Sequence, residues 1–318
     1  MSKHTKTDLL AAAEQRGHKV SGRLVHDWVE LGLLDRPDRH GLGRGKGVIA
    51  GWPDEQRQLF LALLAKRREC VCVGGLCNVP VWNWLWFGDC AVPLRQVRRA
   101  LRTWCRGATG ASWSQGRAVA SKMIEVIAHP AAGNRARRAL RDAVAQALYI
   151  GNRDPDKLSP LPDELLPLIT GVVDPQATGE WRGPAQMPLT PESILSLFQS
   201  RREAIVNLDR IDDILFHWAH YEYLTNIPDY LDEQPLLAAD PDLGQHFPVP
   251  DMNDLASSAC LELMSILGAG LRLIPNAPED SLHDPRLWRE RGLRLVASQV
   301  VCSTGLRVAF EVRSEGHE

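Results

Sequence analysis

Residues 36–47 read RPDRHGLGRGKG, with glycine at 41, 43, 45 and 47 and cations set between them. A segment in which every second residue lacks a Cβ cannot sustain a helix interior, and it gives a central strand almost nothing to pack. Two uses remain: a thin, turn-rich hairpin, or a loop that lets the phosphates of a ligand approach the backbone. The neighbouring residues separate them. A dinucleotide fingerprint needs a buried strand directly before the glycines and a helix directly after them. Here an amphipathic helical pattern precedes the glycines, and VIAGWP follows before any helix starts. A nucleoside-triphosphate loop needs Gly-Lys followed by Ser or Thr to hold magnesium, whereas this chain has Gly45-Lys46-Gly47. The hairpin is the expected reading.

The flanks supply the rest of a pattern. TDLLAAAEQR predicts a helix over 7–16, with Thr7 as its cap, Leu9, Leu10 and Ala13 on one face and Gly17 at its end. Ser21 opens a second helix over 21–31, in which Leu24, Val25, Trp28 and Leu31 recur at helical spacing before Gly32 stops it. Pro53 is expected at the first position of a third helix, with Asp54 and Glu55 in its first turn and Leu59, Leu63 and Leu64 on its buried side. Helix, turn, helix, hairpin, helix is the order of a winged helix-turn-helix.

Beyond it, residues 70–92 break the helical pattern, and Pro93 starts a helix of distinctive charge. Arg95, Arg98, Arg99, Arg102 and Arg106 fall within about 100° of one another, opposite Leu94, Val97, Leu101 and Trp104. Helices are expected over 113–128 and over 134–150, the latter carrying Arg135, Arg137, Arg138 and Arg141. Proline and glycine make 151–191 a linker; Thr190-Pro191 then begins what should be the longest helix, to about 224. A proline-rich acidic stretch over 228–250, including Asp229, Asp232 and Glu233, precedes a helix over 252–273. Strict alternation in LRVAFEV, with Thr304-Gly305 before it, predicts a C-terminal β-hairpin with LRLVASQVV. The expected fold is mainly α: a winged helix-turn-helix over 1–70, a basic helical extension over 71–150, a linker over 151–191 and an acidic, mainly helical domain over 192–318.

Net charge is only −2, but the two halves differ: 24 Lys+Arg against 12 Asp+Glu in residues 1–150, then 13 against 27 in 151–318. That division predicts a polyanion as partner of the first half. No signal-peptide core is visible in MSKHTKTD, and the most apolar run, over 79–87, is too short to span a bilayer, so a cytoplasmic, nucleoid-associated protein is expected.

LVHDWVELGLLDRPDR, over 24–39, followed by a basic glycine-rich hairpin and Trp52-Pro53, resembles the second helix and wing of MerR-type regulators. The resemblance covers about residues 5–70. It implies that helix 21–31 enters the major groove of double-stranded DNA with Ser21, Arg23, His26 and Asp27 facing it, and that Arg36, Arg39, His40, Arg44 and Lys46 reach phosphates or the minor groove. Arg23 is the best base-reading candidate, since a guanidinium addresses guanine in bidentate fashion. Arg95, Arg98, Arg99 and Arg102 would extend the footprint, because a face of one charge sign without acids is unusual for a merely solvated surface. The family usually continues into a long dimer-forming helix, and CVCVGGLCNVP stands at that position here. A homodimer, or an effector or protein partner at the C-terminal half, completes the expected partners.

Other motifs favour structural roles. Cys70, Cys72, Cys77 and Cys90 lack the paired spacing of zinc sites and are expected as buried reduced thiols. Trp82, Trp84 and Trp86 suit a core or subunit interface, and His217 with His220 and Asp213 lacks a further metal ligand. No nucleophilic or acid–base constellation is evident, so neither enzyme activity nor a cofactor is expected. Transcription regulation leads; an architectural role in plasmid maintenance or recombination, and an interaction module working through the acidic half, are the alternatives.

Overall fold

A computed structural model describes residues 3–41, 48–70, 72–109, 113–151, 164–179, 190–225 and 252–273. It is mainly helical, and its described strands form one antiparallel two-stranded sheet. The chain divides into two compact units, Met1–Gly107 and Ala108–Glu318.

The first unit begins with α1 (Lys6–Gln15) and α2 (Gly22–Glu30). The cap of α1 is Thr5 rather than Thr7: its hydroxyl accepts the Asp8 N–H, and the Asp8 carboxylate accepts the Thr5 N–H at 2.7 Å. That reciprocal pair is a capping box, and it outcompetes a cap two residues later. Ser21 caps α2 by accepting from the Leu24 N–H at 3.4 Å. Gly32 follows α2 at φ +77°, a conformation natural to glycine, and a Cβ there would overlap Arg99 and the Ala100 backbone.

Strands β1 (Asp38–Gly41) and β2 (Val48–Gly51) pair with Arg39 opposite Ala50 and His40 opposite Ile49. The glycine-rich tip between them, 42–47, with Arg44 and Lys46, lies outside the described residues. Trp52 anchors the hairpin's root by exchanging backbone hydrogen bonds with His4 at 2.7 and 2.8 Å. Pro53 is the cap of α3 (Asp54–Lys66) rather than its first residue.

Residues 73–87, expected to break the helical pattern, form α4 (Val73–Phe87), continued by a short 3-10 turn over Gly88–Cys90. Gly74, Gly75 and Pro80 obscured it. A Cβ at Gly75 would collide with the Cys70 sulfur, so that glycine is set by packing rather than by a turn. Asn83 donates to the Val79 carbonyl at 2.9 Å within the turn beside the proline. Helix α5 (Leu94–Thr109) follows. Leu9, Val25, Trp28, Leu33, Leu34, Phe60, Leu63, Trp84, Val97 and Leu101 make the core, with Trp28 edge-on to Phe60 at 5.6 Å between ring centroids.

The second unit holds α6 (Trp113–Ile127), α7 (Asn134–Gly151), α8 (Leu165–Val173), α9 (Pro191–Asn207), α10 (213–225) and α11 (Met252–Leu273). Helix α8 lies inside the stretch expected as linker; its nine residues carry Leu165, Ile169, Val172 and Val173 into the core. The helix expected over 190–224 is two. Thr190 and Pro191 open α9 as predicted, but the chain turns at 208–212 and Asp212 caps a new helix by accepting the Leu215 N–H at 2.8 Å. Residues 258–270 of α11 are buried throughout, and the helix crosses α9 closely, since a Cβ on Gly268 would overlap the Ser200 backbone. The expected C-terminal hairpin, Asp229, Asp232 and Glu233 lie outside the described residues. No helix among the described residues is long and apolar enough to cross a membrane.

Candidate nucleic-acid interface

Helix α2 divides sharply. Val25, Trp28 and Val29 are buried, while Arg23, His26, Asp27 and Glu30 form an exposed face. Arg23 is 88% exposed and meets Asp27 at 3.8 Å, one turn on. So exposed an ion pair contributes little and leaves the guanidinium available to a ligand. Ser21 is exposed beside them with its hydroxyl engaged as a cap.

Two exposed arginines follow on the same run of chain, Arg36 before β1 and Arg39 within it. Asp38, between them, pairs with Lys3 at 3.2 Å. His40 occupies the next position of the strand.

The link between α2 and the hairpin is Asp35, which is buried. Its N–H donates to Gln56 Oε1 at 2.8 Å, and its carbonyl accepts Trp52 Nε1 at 2.8 Å. Its carboxylate accepts from Arg95 Nε at 3.1 and 3.2 Å and Nη2 at 2.5 Å, and from Arg99 Nη2 at 3.0 Å. Arg99 also donates to the carbonyls of Val29 at 2.8 Å and Leu34 at 3.3 Å. Asp35 holds Arg95 more firmly protonated; burial works against the charge of Arg99, and Asp35 offsets it. Gln96, fully buried, extends the connection by donating to the Leu33 carbonyl at 2.9 Å and accepting Gln56 Nε2 at 2.8 Å.

The arginine stripe on α5 is therefore not one surface. Arg95 and Arg99 brace the exit of α2 against α5, Arg98 and Arg102 are half-buried, and Arg106 is exposed. Thr103 adds to the brace by donating to the Leu31 carbonyl at 2.8 Å. Sequence periodicity places these arginines on one face but gives no sign of Asp35, which lies 60 residues from Arg95. Asp35, Gln56 and Gln96 escape sequence reasoning altogether, because a buried polar residue looks the same as an exposed one until its partners are known.

The second unit holds the other basic residues singled out. Arg137 is committed to the carbonyls of Ala132 at 3.0 Å and His129 at 2.9 Å, while Arg135 and Arg138 are exposed. Its buried polar groups lie instead on α9, α10 and α11: Arg201 Nε donates to Ser265 Oγ at 2.7 Å, Ser258 donates to Glu262, and Glu222 is buried on α10.

The cysteines depart from expectation. Cys77 and Cys105 are buried, but Cys72 and Cys90 are exposed and Cys70 is half-buried. Cys70 and Cys72 bring their sulfurs to 3.6 Å at the start of α4, where Cys72 is the cap and accepts the Gly75 N–H. The bond to Cys72, then burial, pushes the Cys70 thiol up, and burial does the same to Cys77. Trp84 is buried with Nε1 donating to Asp89 at 2.9 Å, and Trp82 packs edge-on to Trp86 at 5.5 Å between centroids. Among the described residues, no group of three or more His, Cys, Asp or Glu is arranged to hold a metal.

No protein-family model, curated protein or solved structure matches this chain.

Proposed function

We propose that this chain binds double-stranded DNA in a sequence-specific manner and regulates transcription, its first unit working as a MerR-like winged helix-turn-helix. In this reading α2 enters the major groove with Ser21, Arg23, His26 and Asp27, while Arg36, Arg39, His40, Arg44 and Lys46 of the hairpin follow the backbone or enter the minor groove. Arg95 and Arg99 then act at one remove, by fixing the angle between α2 and the hairpin. A homodimer would double the footprint, and the second unit would carry the effector or protein contact.

The observation that carries the proposal is the exposed face of α2, whose arginine, Arg23, is 88% exposed on a helix tied through Arg99 and Asp35 to the root of a basic hairpin. A helix presenting an available guanidinium, in a chain whose following hairpin carries exposed Arg36 and Arg39 and whose sequence continues with alternating glycines and cations, suits a polymer of phosphates with readable base edges.

The test is binding of the full chain to genomic fragments, then to the selected site, across a salt series. Arg23→Ala should cost about 1–3 kcal/mol at the preferred site and relax its sequence preference. The triple change Arg39, Arg44 and Lys46 to Ala should weaken all sequences alike and lower the slope of log K against log salt by about 0.9 for each phosphate no longer neutralised. Unchanged binding by both variants at low salt overturns the reading. Bound fragments that map to plasmid or recombination sites rather than promoters would assign an architectural role.

A further inference from the structure

A cleft of about 290 Å³ lies between the turn that follows α1 and the C-terminal end of α3. Leu64 contributes apolar wall, and His18, Lys19, Arg67 and Arg68 supply the polar lining. Its volume is near the lower end for small-ligand sites, about 300–1,000 Å³.

The charge in and around it is one-sided. Arg16, Lys19, Arg67 and Arg68 come from the end of α1, the turn and the end of α3, and none makes an ion pair with a described residue. Glu69, next to the arginine pair, is bonded to Lys66 at 2.9 Å, and Glu14 on α1 is exposed and pairs with none of the four. Cations usually disperse or alternate with acids to limit repulsion. Here three segments converge with one sign on a concave surface.

His18 reports the resulting potential. It is half-buried within the lining, and burial together with the charges of Arg68 and Arg16 holds its imidazole below the usual histidine range. An anion in the cleft would neutralise that field and make protonated His18 a further donor.

We propose that this cleft is a binding site for a phosphoryl anion, separate from the outward face of α2. Two guanidiniums, an ammonium and an imidazole together offer planar forked donors and a point charge, a set that matches a tetrahedral, multiply charged oxyanion better than a single carboxylate. Because His18, Lys19 and Val20 lead directly into the Ser21 cap, an occupant would tie the entrance of α2 to the end of α3. The site stands whether or not α2 reads DNA. The phosphoryl group has two sources, a free phosphorylated small molecule or the backbone of a nucleic acid, and the experiment separates them.

The full chain, labelled at the histidine ring nitrogens, is titrated over pH in chloride, in inorganic pyrophosphate at matched ionic strength, and with a short DNA duplex. Occupancy should raise the His18 midpoint by about one pH unit or more, saturably, as an opposite charge at close range does. Arg67→Gln with Arg68→Gln should abolish that rise while leaving the other histidine resonances in place. Arg23→Ala should leave the pyrophosphate response unchanged, so failure of the DNA reading and failure of this site are distinguishable. A rise with pyrophosphate assigns a free phosphorylated ligand. A rise with the duplex alone, with weaker duplex binding in the Arg67/Arg68 variant, assigns the backbone. No movement of His18 beyond that in chloride, with either probe, overturns the proposal; so does a response that survives in the Arg67/Arg68 variant.

Discussion

Replacing Asp35 by alanine removes the counter-charge of two arginines at once, and the structure divides the cost between them. Arg95 keeps 66% of its side chain exposed, so losing its partner returns the guanidinium largely to water, at a cost under about 1 kcal/mol. Arg99 is only 17% exposed and has no such recourse. Breaking a buried ion pair from one side costs about 3–5 kcal/mol. The two carbonyl bonds that Arg99 retains, to Val29 and Leu34, reduce that figure. A loss of about 3 kcal/mol is expected for Asp35→Ala, and somewhat less for Asp35→Asn, which keeps one acceptor oxygen. The backbone bonds of residue 35 to Gln56 and Trp52 persist in either variant.

Hydrogen exchange is the suitable assay, since a chain of two units need not unfold in one step and exchange resolves α2 and α5 separately. Amides of α2 should lose about 3 kcal/mol of protection, while those of α9 and α11 stay unchanged. The double variant Asp35→Ala with Arg99→Met should recover at least half of the loss, because it leaves no buried charge unpaired. A single-variant cost below about 0.5 kcal/mol, or strictly additive single changes, would refute the inference that Asp35 holds α2 in place through Arg99.

Other expectations rest on the same reasoning. Gln96→Leu strands the Leu33 carbonyl and one Gln56 amide hydrogen, and should cost about 1–3 kcal/mol in urea unfolding of the first unit. Gly268→Ala should destabilise the second unit by about 1–3 kcal/mol in thermal melts, since the new methyl meets Ser200 backbone; Gly270→Ala, which meets the side chains of Leu215 and Trp218, should cost less. Alkylation of the native chain, followed by mass spectrometry, should modify exposed Cys72 well before Cys77 or Cys105, which should react only on unfolding. The Thr5 N–H, then its hydroxyl, hold the Asp8 carboxyl below the usual range, so the stability it contributes is present above about pH 4 and is lost as pH falls through the lowered value. Asp8→Asn should therefore flatten the acid limb of a stability–pH profile.

Legibility in the sequence follows the range of the cause. Ser21, Thr190, Pro191 and Gly32 act within a few residues of themselves, and the helix ends they set agree with expectation. The break at 208–212 is also local, but the apolar spacing on either side stays in helical register and hides Asp212 as a cap. Helix α4 is missed for a different reason. Gly75 there answers to the Cys70 sulfur, so a residue that reads as a breaker is in fact a packing contact, and only the folded chain distinguishes the two.

The α5 arginines carry the same lesson into function. Amphipathic spacing identifies a face without acids, and the inference from that face to DNA assumes that no acid approaches it from elsewhere in the chain. Asp35 does approach it, buried and fixed through its backbone to Gln56 of α3 and to Trp52 at the root of the hairpin. Charge on α5 is thereby converted into rigidity between α2 and the hairpin. For the proposed interface this narrows the expectation: Arg95→Gln and Arg99→Gln should alter DNA affinity chiefly by loosening α2. Their effect should then track the fall in α2 amide protection, and the salt slope should stay close to that of the unaltered chain. A fall in slope with α2 protection intact would instead put these guanidiniums on phosphate.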